Sequence, residues 1–588
     1  MAERKVRWRL KFLLICGFVS LAVVVLSVRA ASPDGYEMSI YESHGWWLWG
    51  SLILMYALGT LVVFHSVTTD GKGYFLSGAV LILLITGSLL LMPVIRGYFA
   101  YGGGDMLTHK GHVHDILITG HIGDRNYYPL THISAGIVLE LTGIGFFSYK
   151  GLITPIFTLV YGAGLFLFVR AFTLQTGTHN YLLPLVFLPI FKDMNLYFGP
   201  HMISFSLYPL LLFVLLAITR YRTRHVLVLI ILFGYILFSH PITTIWSLTT
   251  VGLIGIATSV TFIVQNRTHS VTRLGPTVTV PLIVVIGFLW WYYNFRGPLV
   301  ATISGFRALI YRSGETDAGG YSTAIEAIPL SPLDLFAVIL FRFGSEFILL
   351  SASALTAGYL LYRFARSDIN WLPQYLFLII SFGFFSSVSV VFLVTDFVIF
   401  WTRVLKFSQL FGIALVGIAS VFFIQTTLTH RRRLVVMVVI ILLFSLILFG
   451  MYSSPYQRAP SSHLTEAQVD SMDWFLGYRP TPQEVYSIDS IYRYEDALSG
   501  VESEPRTYTD NPVPPHFGYN DSATFATADR PDGYLIVTTR LKQWYPALHP
   551  DYPEHWQYTP ADFEQLDRDT NLGKIYTNNE TETYQIRT

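Results

Sequence analysis

Between Gly102 and Ile133 the chain reads GGGDMLTHKGHVHDILITGHIGDRNYYPLTHI, which gathers three acids and five histidines into one polar run. Asp105, His109 and His112 fall at i, i+4 and i+7. They share one face if the run is helical, and Asp115 follows three residues later. Such a face supports three readings. It can be a solvated helix face. Asp and His one turn apart can share a divalent cation; the spacing completes no ligand set, so a metal stays open and no metal ligand is assigned. Or a carboxylate there can take a proton from a hydroxyl. For Asp105 the structural alternative is capping of the helix. His109, His112 and Asp115 are candidates for contacting substrate.

Other polar residues interrupt apolar sequence further on. FKDMNLYFGPH (191–201) supplies Asp193 and His201, and SHPITT (239–244) supplies His240. DFVIFWTRVLKFSQ (396–409) sets Arg403 and Lys406 three apart, on one helix face. Two such cations can hold a phosphate or snorkel toward lipid headgroups. Arg296, just past an apolar run, is a further cation of the same kind.

The elements that must position these residues belong to a membrane bundle. Of 588 residues, 52% are hydrophobic and 13% charged, against roughly a quarter charged in soluble domains. Apolar runs of about 18–25 residues recur through the first 450 positions, and each is long enough to cross a bilayer as a helix. The reading is a polytopic α-helical membrane protein with about thirteen spans. The fifth, near 180–196, contains Pro184 and Pro189, and the tenth, near 336–362, contains Arg342 and Glu346 and reads as one helix or two.

With the basic N-terminus in the cytoplasm, TRYRTRH (219–225), QNRTHSVTR (265–273), YRFARSD (362–368) and THRRR (429–433) all fall on the cytoplasmic side, as the bias of basic loops requires. The expected organisation is a transmembrane domain over 1–452, with an outer loop at 96–149 and an outer re-entrant loop at 296–335. A small mixed α/β extracytoplasmic domain follows over 453–588. That tail holds 21 acids against 10 Lys and Arg. The expected location is the cell membrane. Cys16 is the one cysteine, which excludes a disulfide framework and a thiolate metal site. No phosphate-cradling Gly-rich loop is present, which argues against a nucleotide-bound substrate, and no nucleic-acid partner is expected.

An acid soon after an early span, a polar helix with a nearby His, then a returning YPL segment resembles the first outer loop of GT-C glycosyltransferases. Protein O-mannosyltransferases and lipid-A aminoarabinose transferases belong to that superfamily. The many spans, the late outer re-entrant loop and the outer C-terminal domain are similar too, as are GYEMSIY (35–41), SHPITT and SSPYQRAPSSHLTEAQVDSMDWF (453–475). The resemblance implies that Asp105 is catalytic. It implies inverting transfer of one sugar from a polyprenyl (dolichyl) phosphate donor to a glycan, lipid-linked or protein acceptor at the outer face of the bilayer. Two signatures depart from the pattern. Asp105 is followed by Met106 rather than a second acid, and WWYYNFRG (290–297) has Tyr292 where oligosaccharyltransferases place an acid. The alternative is a transporter or flippase for a polar or lipid-linked solute.

Overall fold

The computed structural model describes residues 2–68, 72–102, 104–172, 177–217, 222–264, 276–294, 300, 303–304, 307, 317–328, 330–366, 373–395, 401–425, 430–478, 483–502, 508–525 and 532–587. Among them, ten helices have the length and apolarity to cross a membrane, and two shorter apolar helices lie over Arg224–Ser239 and Thr279–Tyr293. The chain is a multi-pass membrane protein.

The first three spans, α1 (Ala2–Ala30), α2 (Trp46–Thr68) and α3 (Lys72–Arg96), pack together. Gly59 of α2 and Gly78 of α3 let two backbones meet: a Cβ on Gly78 would stand 3.2 Å from the Gly59 carbonyl oxygen. Two helices outside the spans follow, α4 (Asp105–Thr119) and α5 (Pro129–Thr142). The bundle resumes with α6 (Phe146–Phe172), α7 (Pro200–Ala217), α8 (Arg222–Ser239), α9 (Pro241–Val264) and α10 (Pro276–Tyr293). After α11 (Asp317–Ala327) come α12 (Pro332–Ala365), α13 (Pro373–Leu393), α14 (Trp401–Gln425) and α15 (His430–Gly450). The tenth expected span is one helix, α12, whose Ser331 side chain accepts from the Asp334 amide at 3.2 Å. α14 is the centre of the bundle, with Val404, Phe407, Leu410, Phe411 and Leu415 fully buried.

The count of about thirteen helical spans departs from the structure at the fifth. Residues 177–195 form a 3₁₀ turn (Gly177–Leu182), one α turn (Leu183–Val186) and a second 3₁₀ turn (Lys192–Asn195). Pro184 and Pro189 cannot donate to a continuous ladder. The segment still travels the depth of the bundle. Tyr181 packs on Phe64 near one end of α2, the Tyr56 hydroxyl donates to Pro184, and Thr86 Oγ1 lies 3.3 Å from the Phe187 carbonyl. Lys192 then reaches Glu346 of α12 at 2.8 Å. Irregular backbone survives at membrane depth only where protein covers it. Here residues 181–186 and 188–192 are all buried.

At the end of the bundle that carries α4 and α5, β1 (Ala100–Tyr101) pairs antiparallel with β2 (His463–Leu464). This ties the chain leaving α3 to the C-terminal domain. Beside it the Glu37 carboxylate is ion-paired with Arg96 and accepts from the Tyr98 hydroxyl at 2.6 Å. The domain holds α16 (Glu466–Tyr478), β3 (Gln483–Ser487), α17 (Ile491–Ser499), β4 (Tyr508–Asn511), β5 (Gly533–Thr538), α18 (Thr539–Leu548), α19 (Pro560–Arg568), β6 (Leu572–Thr577) and β7 (Thr581–Ile586). Its sheet runs β4-β3-β5-β7-β6, with β7 antiparallel to both neighbours. Thr465 caps α16, accepting from the Gln468 amide at 3.2 Å while Gln468 returns a bond to Thr465.

Candidate functional site

α4 is held against α17 of the C-terminal domain. A Cβ on Gly111 would stand 2.2 Å from the Asp496 carbonyl oxygen, so only glycine permits this approach. Thr108 donates to Asp496 at 2.8 Å, and Lys110 donates to the Ala497 carbonyl. The Asp115 carboxylate accepts from the amides of Val501 at 2.9 Å and Glu502 at 3.2 Å. Asp115 is therefore engaged in docking α4, with its oxygens turned toward the α17 terminus.

The rest of the α4 face is free to meet the bundle. Asp105 begins the helix with a side chain 73% exposed, ion-paired to Arg493 of α17. Burial of its surroundings works against the charged form. The Arg493 hydrogen bond and charge outweigh this and, with His109 and Arg403, hold the carboxyl below the usual aspartate range. His109 lies one turn on. Its Nδ1 is 3.0 Å from His132 Nε2, and His132 Nδ1 is 2.7 Å from Asn126 Oδ1. Burial pushes His109 down to about 3, with His112 adding to the effect, and His112 and His132 are lowered by burial as well. These rings are neutral near pH 7 and act as hydrogen-bond partners rather than cations.

The bundle supplies the opposite wall. His201 opens α7, and its ring lies 4.7 Å from that of His240, which stacks on Tyr128 at 5.7 Å. His240 Nδ1 is 3.2 Å from the Thr243 hydroxyl. Neither ring nitrogen of His201 has a hydrogen-bond partner among the described residues. Arg403 and Lys406 lie in the first turns of α14, within electrostatic reach of both histidines, and Arg403 reaches Asp105 and Tyr128 as well. Lys406 is 6% exposed and its Nζ also has no hydrogen-bond partner among the described residues. Asp193, on the second 3₁₀ turn, lies near Lys406, Lys192 and Arg342. Arg296 lies outside the described residues.

An apolar groove of 560 Å³ adjoins this wall, between α12, α13 and α14. Phe347, Leu350, Phe382 and Val390 line it, Glu346 marks its polar end, and Trp401 and Leu405 of α14 close one side. Phe347 and Val390 are 58% and 59% exposed, so the groove is open on the side of the bundle.

The structure thus brings Asp105, His109, His201, His240, Arg403 and Lys406 into one polar cluster, with Asp193 beside Lys406. Four contributors escaped the sequence reading. Tyr128 and His132 stand in the same polar run, where YYP and THI carried no spacing signal. Asn126 is visible only through its bond to His132. Arg493 is 388 residues from Asp105, and no local pattern could connect them. Among the described residues, no three His, Cys, Asp or Glu converge in a metal-holding group.

No protein-family profile matches the chain, and no curated protein matches it. Among solved structures it is similar to ArnT from Cupriavidus metallidurans in the apo state, with 12% identity over 88% of this chain and 98% of that chain, at a TM-score of 0.44. It is similar also to ArnT from the same organism bound to undecaprenyl phosphate, with the same identity and coverage, at a TM-score of 0.36.

Proposed function

We propose that this chain is an inverting glycosyltransferase that moves one sugar from a polyprenyl-phosphate donor to a hydroxyl of a glycan, lipid or protein acceptor. The reaction takes place on the non-cytoplasmic face of the cell membrane. The observation that carries the reading is Lys406: a buried amine with no hydrogen-bond partner among the described residues, on the helix α14 whose Trp401 and Leu405 also border an apolar groove. Asp193 and Glu346 lie within electrostatic reach of Lys406 but give it no hydrogen bond; a buried cation left without one is costly, and an arriving anion relieves the cost. A lipid phosphate satisfies the amine and the groove at once. Its isoprenoid chain lies in the groove between α12 and α14, and its phosphate meets Lys406 and Arg403.

The chemistry then follows from the placement. Asp105 accepts the proton of the acceptor hydroxyl. The acceptor oxygen bonds to the sugar's anomeric carbon as the bond from that carbon to the phosphate oxygen breaks. Lys406 and Arg403 take up the charge that develops on the departing phosphate. His201 and His240 offer neutral hydrogen-bonding atoms to the same group, and His109 to the acceptor side. No covalent sugar–enzyme intermediate is required.

Purified protein, a synthetic polyprenyl-phosphate sugar and a mixed acceptor pool test this reading. Wild-type protein is expected to release polyprenyl phosphate, and Asp105→Asn to lose about 10²–10⁴-fold in turnover. Undiminished turnover in Asp105→Asn removes Asp105 from the mechanism. The buried group Lys192, Asp193, Glu346 and Lys406 is what a solute transporter would also use. Vesicle flux without turnover would favour that second reading.

A further inference from the structure

The sheet of the C-terminal domain reverses its winding beside β3. The chain passes from β3 through α17 to β4 on one side, and β5 lies parallel on the other side of β3. In open parallel sheets, ligands settle outside the carboxyl ends of the strands at such a reversal. Here the carboxyl ends of β3 and β5 open into a cleft of 260 Å³, lined by Asp489 and Ser490 after β3 and by Arg540 after β5. Gly104, His463 and Arg493 complete the wall, which places the cleft next to Asp105.

The charges in the cleft are arranged for exchange. Arg540 lies 3.1 Å from Asp489, and its Nε has no hydrogen-bond partner among the described residues. Arg493 borders the cleft and reaches out of it to Asp105, whose side chain is mostly exposed. Two guanidinium groups thus border a space holding one carboxylate, that of Asp489. Guanidinium forks match carboxylate and phosphate oxygens bidentately.

We propose that this cleft binds an anionic sugar residue of the acceptor, bearing a carboxylate or a phosphate, and that Arg493 turns from Asp105 to the bound anion. Arg540 is the fixed half of the anion site and Arg493 the mobile half. The exchange frees Asp105 from its ion pair when an acceptor is present, so the base is released by the substrate that needs it. The role given to Asp105 rests on the glycosyl-transfer reading; the anion site itself does not.

The test is binding of glucuronic acid, glucose 6-phosphate and glucose to full-length protein in detergent, by calorimetry and without donor. The expected result is that at least one charged sugar binds and glucose does not. Which charged sugar binds tells carboxylate from phosphate. Arg540→Gln should weaken binding by about tenfold or more, and Arg540→Lys should restore part of it. Asp105→Asn should bind more tightly than wild type, because it no longer competes for Arg493. Its exposed side chain makes misfolding no explanation for a change in that direction. Equal binding of charged and neutral sugars, no binding of any, or unchanged affinity in Asp105→Asn overturns the proposal. Charge-selective binding by a protein that turns over no donor keeps the cleft and retires the transferase. Turnover without charge selectivity does the reverse.

Discussion

At Asp105 two effects oppose each other, and Arg493 decides between them. Burial favours the protonated acid, while the guanidinium beside it holds the carboxyl below the usual aspartate range. A base must be deprotonated, so activity is lost as pH falls through its pKa, and a lowered pKa carries that loss to more acidic pH. Arg493→Gln removes the largest of the lowering influences and leaves those of His109 and Arg403. The acidic limb of the kcat/KM profile is therefore expected to move to higher pH in Arg493→Gln; an unmoved limb would show that Asp105 is not the titrating base. Lys406→Met tests the other end of the site. With the ammonium replaced by an apolar side chain of similar length, Asp193 loses its main neighbouring positive charge, so some loss of stability is expected alongside the loss of function. Donor kcat/KM should fall by about tenfold or more. A fall in melting temperature with unchanged kcat/KM would make Lys406 structural. Asp105 and His109 were legible in the sequence because their spacing is a helical one, whatever the tertiary context. Arg493 was not, because its contact is made by folding a distant domain onto α4. Asp115 shows the limit from the other side. Its type and spacing fit the site face, yet two backbone amides of the α17 terminus claim its oxygens.

The pair α4 and α17 is the device that holds these residues in place, and it depends on one small side chain. A Cβ on Gly111 would meet the Asp496 carbonyl, which is backbone and cannot turn away. Gly111→Val is expected to cost about 1–3 kcal/mol through overpacking at the contact. Limited proteolysis should then cut between the transmembrane bundle and the C-terminal domain faster than in wild type. An unchanged cleavage rate would mean that the docking tolerates separation. Element boundaries are legible where local chemistry marks them, as at Thr465, a threonine just before α16. They failed over 180–196, where a run apolar enough for a span reads alike whether it coils as a helix or not. Pro184 and Pro189 signalled the break. What hides the irregular backbone from lipid is the surrounding wall of α2, α3, α6 and α14, and that is a property of packing, beyond the reach of a local window.

For the whole molecule, charge and fold make one joint statement. The acidic domain, α4 and the polar cluster lie at one end of the bundle, and the start of α15 with its run Arg431, Arg432 and Arg433 lies at the end of that helix remote from the domain. In the proposed orientation the basic segments are retained in the cytoplasm and the polar cluster faces outside, where the proposed donor class, a lipid-linked sugar, is available. The chain carries a single cysteine, Cys16, and Cys16→Ser gives a background for labelling. Arg568 lies on α19 with a side chain 79% exposed, and Arg431 at the start of α15 is also exposed. In that background, Arg568→Cys should react with a membrane-impermeant maleimide on intact cells, and Arg431→Cys only after permeabilisation. The two sites are read against each other, so poor expression cannot imitate the result. A reversed pattern would put Asp105 and its cations in the cytoplasm. The buried ammonium of Lys406 would still call for an anion there, but soluble phosphates could supply it, and the groove between α12 and α14 would lose its reason to lead to that site.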